Sequence, residues 1–140
     1  PSLCLLEATN VSIGRGTRFP FQVIGYPDST MGDFVFTPKS IEGMAKYPKH
    51  EDLKCYGIDL RTQPLKRVFS LSYFIDFYQK IALDEFYKSR NFLAKLYGNE
   101  NLVSQLAKGA IEAEIKASWQ PALDNYKAIR KKYLLYREEE

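Results

Sequence analysis

The sequence predicts an α+β domain in which a small, mainly antiparallel sheet from the N-terminal half is packed by helices from the C-terminal half. Apolar residues up to position 69 fall in short runs separated by Gly, Pro and polar residues, which is typical of strands and loops. From Ser70 onward they recur at helical spacing. Because the strands precede the helices instead of alternating with them, an α+β arrangement is favoured over a parallel α/β one.

Length and composition further limit the number of domains and the possible classes of function. The 140 residues are enough for one core, so we predict a single domain, with a strand/loop half (1–69) and a helical half (70–140). The net charge of +3 is too small to indicate nucleic-acid binding without a clustered basic face. No apolar run reaches the roughly 18 residues of a membrane span. Because the chain begins at Pro1 without Met, we expect it to be part of a longer protein.

Four strands are expected in the first half. They are predicted at residues 3–6, 21–24, 34–36 and 54–60. Gly25 and Tyr26 are expected to follow the second strand, and Pro38 to mark the end of the third because proline removes a ladder donor. Gly57 indicates a bulge or a close backbone approach. The Lys- and Pro-rich residues 39–53 are expected to form a long surface loop, a second candidate binding element.

The second half is expected to be helical. Ser70 is the predicted N-cap of a first helix that extends to about Ala82. Gly98 is expected to end a second segment and Gly109 a third helix. A short helix over 110–117 would lead to a final helix.

The final helix is expected to be capped by Ser118, with Pro121 in its first turn. Its apolar stripe is predicted to be mostly core, and comprises Trp119, Ala122, Leu123, Tyr126, Ile129 and Tyr133. Residues 133–136 are expected to dock back on the domain, and the acidic end of the chain to fray.

Residues 7–21 connect the first two predicted strands and form the main candidate site. A hairpin needs about two to five connecting residues, and irregular connections of about a dozen are often functional. Gly14 and Gly16 flank Arg15, so the backbone can adopt positive φ on both sides of a guanidinium. The candidate ligand-binding residues are Glu7, Asn10, Ser12, Arg15, Gly16 and Thr17. The alternative is a tight omega-type loop that satisfies its own polar groups.

No complete catalytic apparatus is evident in the sequence. His50 is the only histidine and lies among charged residues, so we expect it to be solvated. Neither a serine-hydrolase motif, a nucleotide-binding fingerprint nor clustered metal ligands are present, so no cofactor or metal is predicted. Glu7 is the one acid with a candidate catalytic position, whereas glycosidases usually use two carboxyl groups. For Cys4 and Cys55 the sequence favours buried free thiols, with a single disulfide as the alternative.

Three blocks of sequence resemble the NamZ-like exo-β-N-acetylmuramidase family of peptidoglycan-recycling glycosidases. The first is Glu-x-Thr-Asn-Val-Ser-x-Gly-Arg-Gly-Thr-x-x-Pro-Phe at residues 7–21. The second combines Phe-Thr-Pro at 36–38 with Lys-Cys-Tyr-Gly-Ile-Asp-Leu at 54–60. The third comprises Glu-Ile at 114–115, Ser-Trp-Gln-Pro-Ala-Leu at 118–123, Arg130 and Tyr-Leu-Leu-Tyr at 133–136. The blocks keep the family order and extend over nearly the whole chain.

This resemblance implies a role in a much longer enzyme. It implies that an N-terminal Rossmann-like domain carries the catalytic acids, so that none is expected in this chain, and that residues 7–21 complete the cleft. The implied substrates are peptidoglycan fragments, from which the enzyme removes N-acetylmuramic acid at non-reducing ends. Arg15 would bind the lactyl carboxylate, Asn10, Ser12 and Thr17 the sugar, and Glu7 would brace Arg15 or reach the ligand. The implied location is the periplasm or the exterior of a bacterium. The alternative is a stand-alone carbohydrate- or protein-binding module without catalysis.

Overall fold

The computed structural model describes residues 2–64 and 69–136 and has the predicted α+β architecture. Strands β1 (Val23–Tyr26), β2 (Phe34–Phe36) and β3 (Cys55–Asp59) form an antiparallel sheet in the order β1-β3-β2. The described helices that follow the sheet are α1 (Ser72–Lys80), α2 (Leu83–Phe86), α3 (Arg90–Tyr97), α4 (Asn101–Ala107) and α5 (Glu112–Arg130). Three short 3-10 helices lie before them, at Cys4–Ala8, Ser29–Met31 and Leu60–Thr62.

Three of the four predicted strands are confirmed, with one shift in position. β1 includes Gly25 and Tyr26, which we expected to end it. Gly57 in the central strand faces Gly25 on one side and Phe34 on the other. A Cβ atom on Gly57 would lie 1.9 Å from the Ile24 carbonyl oxygen, which confirms the close backbone approach.

The predicted strand at residues 3–6 is wrong, because Cys4–Ala8 form a 3-10 helix. Leu5, Leu6 and Ala8 are all buried on this turn. Neighbouring side chains of a strand point to opposite faces, so a strand could not have turned both Leu5 and Leu6 into one core. An apolar run of four residues carries no period long enough to distinguish the two structures.

The starts and ends of the helices follow the predictions with one correction. Gly98 and Gly109 have φ values of 92° and 79° and end α3 and α4 as expected. α1 starts at Ser72 with Leu71 at the N-cap position, so Ser70 is not the N-cap. Ser70 nevertheless accepts a hydrogen bond of 3.1 Å from the Ser72 N–H through its hydroxyl oxygen.

The predicted break before the last helix is also wrong. α5 continues through residues 112–130, with Pro121 in its interior. Ser118 does not cap a helix, because its hydroxyl donates to the Ile115 carbonyl one turn earlier, at 2.7 Å. The residues around Pro121 include strong helix formers such as Ala, Glu, Lys and Leu, and proline removes only one backbone hydrogen bond.

The main core combines residues from both halves of the chain. Its centre is aromatic: the Phe74 and Phe86 rings meet edge to face with 5.2 Å between centroids. Around them lie buried side chains from the N-terminal segment and from the helices, among them Leu6, Val11, Ile24, Leu93, Leu102 and Ile115. The loop before β1 is therefore part of the core and does not lie loosely over it.

The apolar stripe of α5 is only partly core, which corrects our prediction. Trp119 packs between Phe69 and Tyr97, with ring centroids at 6.1 and 5.8 Å. Beyond Pro121 the helix leaves the body of the domain, and every residue from 121 to 136 is exposed. Residues 133–136 therefore do not dock back on the domain.

Both cysteines are free thiols. Cys55 is buried, and burial raises the pKa of its thiol to about 12. Cys4 is only partly buried. Residues 65–68 lie outside the described residues. The predicted fraying of the acidic end falls on residues 137–140, which also lie outside them.

Candidate functional site

The first part of the 7–21 loop is anchored by its own polar groups. The Thr9 hydroxyl donates to the Leu6 carbonyl at 2.8 Å and accepts from the Val11 N–H at 3.1 Å. Ser12 and Gly25 exchange two backbone hydrogen bonds of 2.8 and 2.9 Å, which adds the loop to the outer edge of β1. Thr9 and Ser12 are buried, so this part of the loop is held in place against the domain.

The turn at residues 14–17 presents Arg15. Gly14 and Gly16 have φ values of 80° and 84°, as the sequence predicted for the two sides of Arg15. The Thr17 hydroxyl donates to the Gly14 carbonyl at 2.6 Å and accepts from the Phe19 N–H at 3.1 Å. These bonds close the turn while Arg15 stays exposed at its tip, with 47% of its side chain accessible.

Arg15 is held by two neighbours. One guanidinium nitrogen donates to both carboxylate oxygens of Glu7 at 3.2 Å. The guanidinium also lies 5.0 Å from the centre of the Phe21 ring, within range of a cation–π interaction. Phe21 reaches this position with a φ of 61°, an uncommon conformation for an aromatic residue. The charged group therefore has a defined position before any ligand binds.

Residues 39–53 form the long irregular loop that the sequence predicted, and they pack against the 7–21 loop. The Lys39 N–H donates to the Gly16 carbonyl at 2.8 Å. The ammonium group of Lys49 donates to three carbonyls of the first loop and its 3-10 helix: Leu6 at 2.9 Å, Glu7 at 3.2 Å and Val11 at 3.1 Å. A single cation thus joins the two loops.

Burial lowers the pKa of Lys49 from its ordinary value of 10.5 to about 8. The nearby charges of Lys88 and Arg15 act in the same direction, and Glu7 opposes them. Removing an ammonium group from water disfavours its charged form, and like charges add to that cost. The lowered pKa of Lys49 therefore reflects its burial first and the neighbouring positive charges second.

His50 is not solvated as we predicted, because it is half-buried and bonded. Its Nε2–H donates to the Asn10 carbonyl at 2.5 Å, and the ring meets Tyr26 edge to face at 5.1 Å. Burial lowers the pKa of His50, against the opposite effect of the Asn10 bond. Its charged sequence neighbours misled the prediction, since the backbone at His50 has a φ of 57° and turns the ring inward. We assign His50 to holding the loop.

A recess of about 370 Å³ lies between the two loops. It is lined by Glu7, Ser12, Ile13, Arg15, Met44, Ala45, Lys46, Tyr47, Pro48, Lys49 and Lys88. These residues include four cationic side chains and one carboxylate. Tyr47 is 82% exposed at the rim, with the Lys46 ammonium group 5.5 Å from its ring centre. The arrangement suits a ligand that carries negative charge and one face for an aromatic contact.

The predicted site residues divide into two groups. Glu7, Ser12 and Arg15 line the recess, whereas Asn10, Gly16 and Thr17 are not among its lining residues. The Asn10 side-chain amide donates to the Glu85 carbonyl at 2.6 Å, and Thr17 is used within its own turn. Much of the loop is therefore the alternative that we named, a tight omega-type loop whose polar groups bond within the protein. Only Glu7, Ser12 and Arg15 of the predicted residues line the recess.

Sequence reasoning did not identify Lys46, Tyr47, Lys49 and Lys88 as individual members of the recess. The first three belong to the 39–53 loop, whose length and lysine content did mark it as a second candidate binding element. Lys88 carried no such signal, since it follows α2 in the other half of the sequence. It is brought to the recess by a backbone bond of 3.0 Å from its N–H to the Ala8 carbonyl.

Two further observations limit the kinds of site. Within residues 2–64 and 69–136, no group of three or more His, Cys, Asp or Glu residues could hold a metal ion. None of the helices in that part of the chain is both long and apolar enough to cross a membrane.

The fold and the recess define a small α+β domain that presents a preformed, mostly cationic recess with one carboxylate. A family model described as "Exo-beta-N-acetylmuramidase NamZ, C-terminal" matches residues 1–136. The chain therefore belongs to the NamZ C-terminal family, as its sequence motifs predicted.

Two similar proteins agree with this assignment. The peptidoglycan β-N-acetylmuramidase NamZ of Bacillus subtilis is 29% identical over 153 residues, which cover 97% of this chain and 36% of that enzyme. The crystal structure of a DUF1343 family protein from Bacteroides fragilis is 38% identical, with a TM-score of 0.87, and is matched over 99% of this chain and 40% of its own. The chain thus spans well under half the length of both relatives.

Proposed function

We propose that this chain is the C-terminal domain of an exo-acting β-N-acetylmuramidase. The parent enzyme would remove N-acetylmuramic acid from the non-reducing ends of peptidoglycan fragments, as part of cell-wall recycling. The observation that carries the proposal is the cationic recess. Muramic acid differs from glucosamine by a lactyl ether that ends in a carboxylate, and the recess offers four cations to one carboxylate.

Arg15 is the residue that we assign to the lactyl carboxylate. Its planar guanidinium can form two parallel hydrogen bonds to a carboxylate. In the structure a single guanidinium nitrogen donates to both carboxylate oxygens of Glu7. In this proposal Glu7 positions Arg15 before the ligand binds, while Lys46 and Lys88 add positive potential. Ser12 lines the recess, whereas Asn10, Gly16 and Thr17 build the loop that carries these groups.

The catalytic acids are placed outside this chain. Retaining and inverting glycosidases generally use two carboxyl groups on either side of the scissile bond. Glu7 is the only carboxylate among the described residues that line the recess, and Arg15 engages it. We therefore place the acids in a preceding Rossmann-like domain of the same protein, with the 7–21 loop completing the cleft. No cofactor is required.

The location of the parent enzyme follows from its proposed substrate. Peptidoglycan fragments lie outside the cytoplasmic membrane, so we place the enzyme in the periplasm or outside the cell. Fractionation of the native bacterium tests this, and activity confined to the cytoplasm would contradict it.

The decisive experiment measures kcat/KM of the full-length parent protein with Arg15→Ala. The substrate is a chromogenic glycoside of N-acetylmuramic acid. Loss of a charge-assisted bond of about 1.5–3 kcal/mol should lower kcat/KM by more than about tenfold. Arg18→Ala is the matched control, since Arg18 is an exposed arginine of the same loop and not among the residues that line the recess. Equal activity of wild type and Arg15→Ala would contradict the carboxylate assignment.

A second measurement separates an enzyme domain from a stand-alone binding module. The isolated 140-residue chain should not hydrolyse the glycoside, because we place the catalytic acids elsewhere. Turnover by the isolated chain would show that placement to be wrong. An upstream reading frame without a Rossmann-like domain would favour the binding module.

A further inference from the structure

The second half of α5 exposes one apolar face. Leu123, Tyr126 and Ile129 are spaced three residues apart, so they lie along the same side of the helix. Their exposed fractions are 40%, 59% and 49%. An amphipathic helix of a globular domain normally turns such a stripe toward the core.

The exposed face continues past the end of the helix. Tyr133, Leu135 and Tyr136 are 78%, 91% and 86% exposed. We call residues 121–136 the α5 arm. Soluble monomers rarely expose large contiguous apolar patches, and those that exist usually mark an interaction surface. Tyrosine is also enriched in the centres of protein interfaces.

The base of α5, by contrast, is firmly attached to the domain. Ile115 is fully buried, and the Glu112 carboxylate accepts from the Leu71 N–H at 2.9 Å. The Lys116 ammonium group donates to the Phe69 carbonyl at 2.8 Å. Because the base is fixed, the arm extends in a defined direction and presents its apolar face in a defined orientation.

We propose that the α5 arm is the docking surface for the preceding domain of the parent protein. This rests on the proposed function only in that such a domain exists. The chain covers 36% and 40% of its two relatives, so most of the surface of a full-length protein lies outside it. A domain on the same polypeptide has a high effective concentration, which favours its binding to the arm without any added contact.

The apolar face of the arm specifies the chemistry of its partner surface. Leu123, Tyr126 and Ile129 lie on one side of the helix and are exposed. The basic residues of the arm are followed in sequence by Glu138, Glu139 and Glu140, so the apolar face and not the charge selects the partner. The surface that covers the arm should therefore have an apolar centre.

The test uses the full-length protein and amide hydrogen exchange of the arm. In the wild type, docking should slow exchange in residues 123–130. The double variant Tyr126→Asp/Ile129→Asp should exchange there at least about tenfold faster, because two carboxylates would face an apolar surface. Ala128→Asp is the matched control: Ala128 is exposed near the opposite side of the same turns and should leave the protection unchanged.

Each other outcome has a clear meaning. The Ile115 amide at the base should stay protected in every variant, which verifies that the domain remains folded. Equal exchange in wild type and double variant would overturn the proposal. So would protection that appears only with dimers in sedimentation equilibrium, since the arm would then bind a second copy. Arg15→Ala should not alter exchange in the arm, so this proposal and the proposed function can fail separately.

Discussion

The 7–21 loop and the α5 arm reverse the usual distribution of polar and apolar residues. The loop is rich in polar residues, yet Thr9, Ser12 and Thr17 are buried within it. The arm is rich in Leu, Ile and Tyr, yet all sixteen of its residues are exposed. The motif blocks of the sequence include residues 7–21 and, within the arm, residues 121–123, Arg130 and 133–136.

The difference shows what each region lacks. The buried hydroxyls of Thr9, Ser12 and Thr17 are satisfied by nearby backbone groups, so Glu7 and Arg15 are the charged side chains that the loop offers to a ligand. Within the described residues, no side chain covers the apolar face of the arm, so that face needs a partner surface. The loop should therefore be sensitive to substitution in this chain alone, and the arm only in the full-length protein.

Among substitutions in the loops, the largest effect is expected where the two loops touch. Gly16 has a φ of 84°, and a Cβ atom there would lie 2.6 Å from the Lys39 carbonyl oxygen and 2.7 Å from Pro48 Cβ. Gly16→Ala should lower the free energy of unfolding by about 2–5 kcal/mol, the sum of backbone strain and overpacking. Urea denaturation measures the loss.

Gly43→Ala is the control for that variant, because Gly43 also has a positive φ, 75°, but has no atom within 4 Å of a Cβ. It should cost only the strain, about 1–2 kcal/mol. Equal losses for the two variants would mean that the loops are not packed against each other at Gly16.

Lys49→Met should have the next largest effect, about 1.5–3 kcal/mol. Three carbonyls would lose their shared donor, and methionine fills the space without donating. The free energy of unfolding is again the measurement. Lys46→Met, on the exposed side of the recess, should change it by less than about 0.5 kcal/mol. If Lys49→Met left the free energy of unfolding unchanged, the ammonium group would not be what joins the two loops.

The pH dependence of stability tests the same group. The folded pKa of Lys49 is about 8, below its ordinary value of 10.5. Between these values the unfolded chain keeps a proton that the folded chain has released, so stability rises with pH. The difference in unfolding free energy between wild type and Lys49→Met should therefore grow from pH 8 to pH 10.5 and stay constant below pH 8. A difference that shrinks over this window would contradict the assignment.

The sequence was sufficient for the fold class and for the elements with a clear local signal. Gly98 and Gly109 ended helices as expected, and the alternation around Gly57 indicated a real strand. The failures had two different causes, one tertiary and one local. The run at residues 3–6 is helical because the core takes both Leu5 and Leu6. α5 passes through Pro121 because the flanking residues sustain the helix despite one missing bond.

The candidate site was predictable in part. Arg15 and its flanking glycines carried a local signal, since the turn needs positive φ on both sides of the charged residue. Lys88 carried none and Lys49 only that of its lysine-rich loop, because both reach the recess only when distant segments pack together. The same limit explains His50, whose charged neighbours suggested solvent while its ring turned inward. The exposure of the arm was unpredictable for a different reason. An apolar stripe on a helix has the same sequence pattern whether it packs on its own domain or on another one.

The smallest effect is expected in the arm, where two isoleucines of one helix give a matched pair. Ile115 is 0% exposed at the base and Ile129 is 49% exposed in the arm. In the 140-residue chain, Ile115→Ala should cost about 2–5 kcal/mol, because it leaves a cavity in the core. Ile129→Ala should change the free energy of unfolding by less than about 0.5 kcal/mol. A loss of more than about 1 kcal/mol at Ile129 would mean that the arm folds back on its own domain, as its sequence first suggested, and the contrast between arm and loop would disappear.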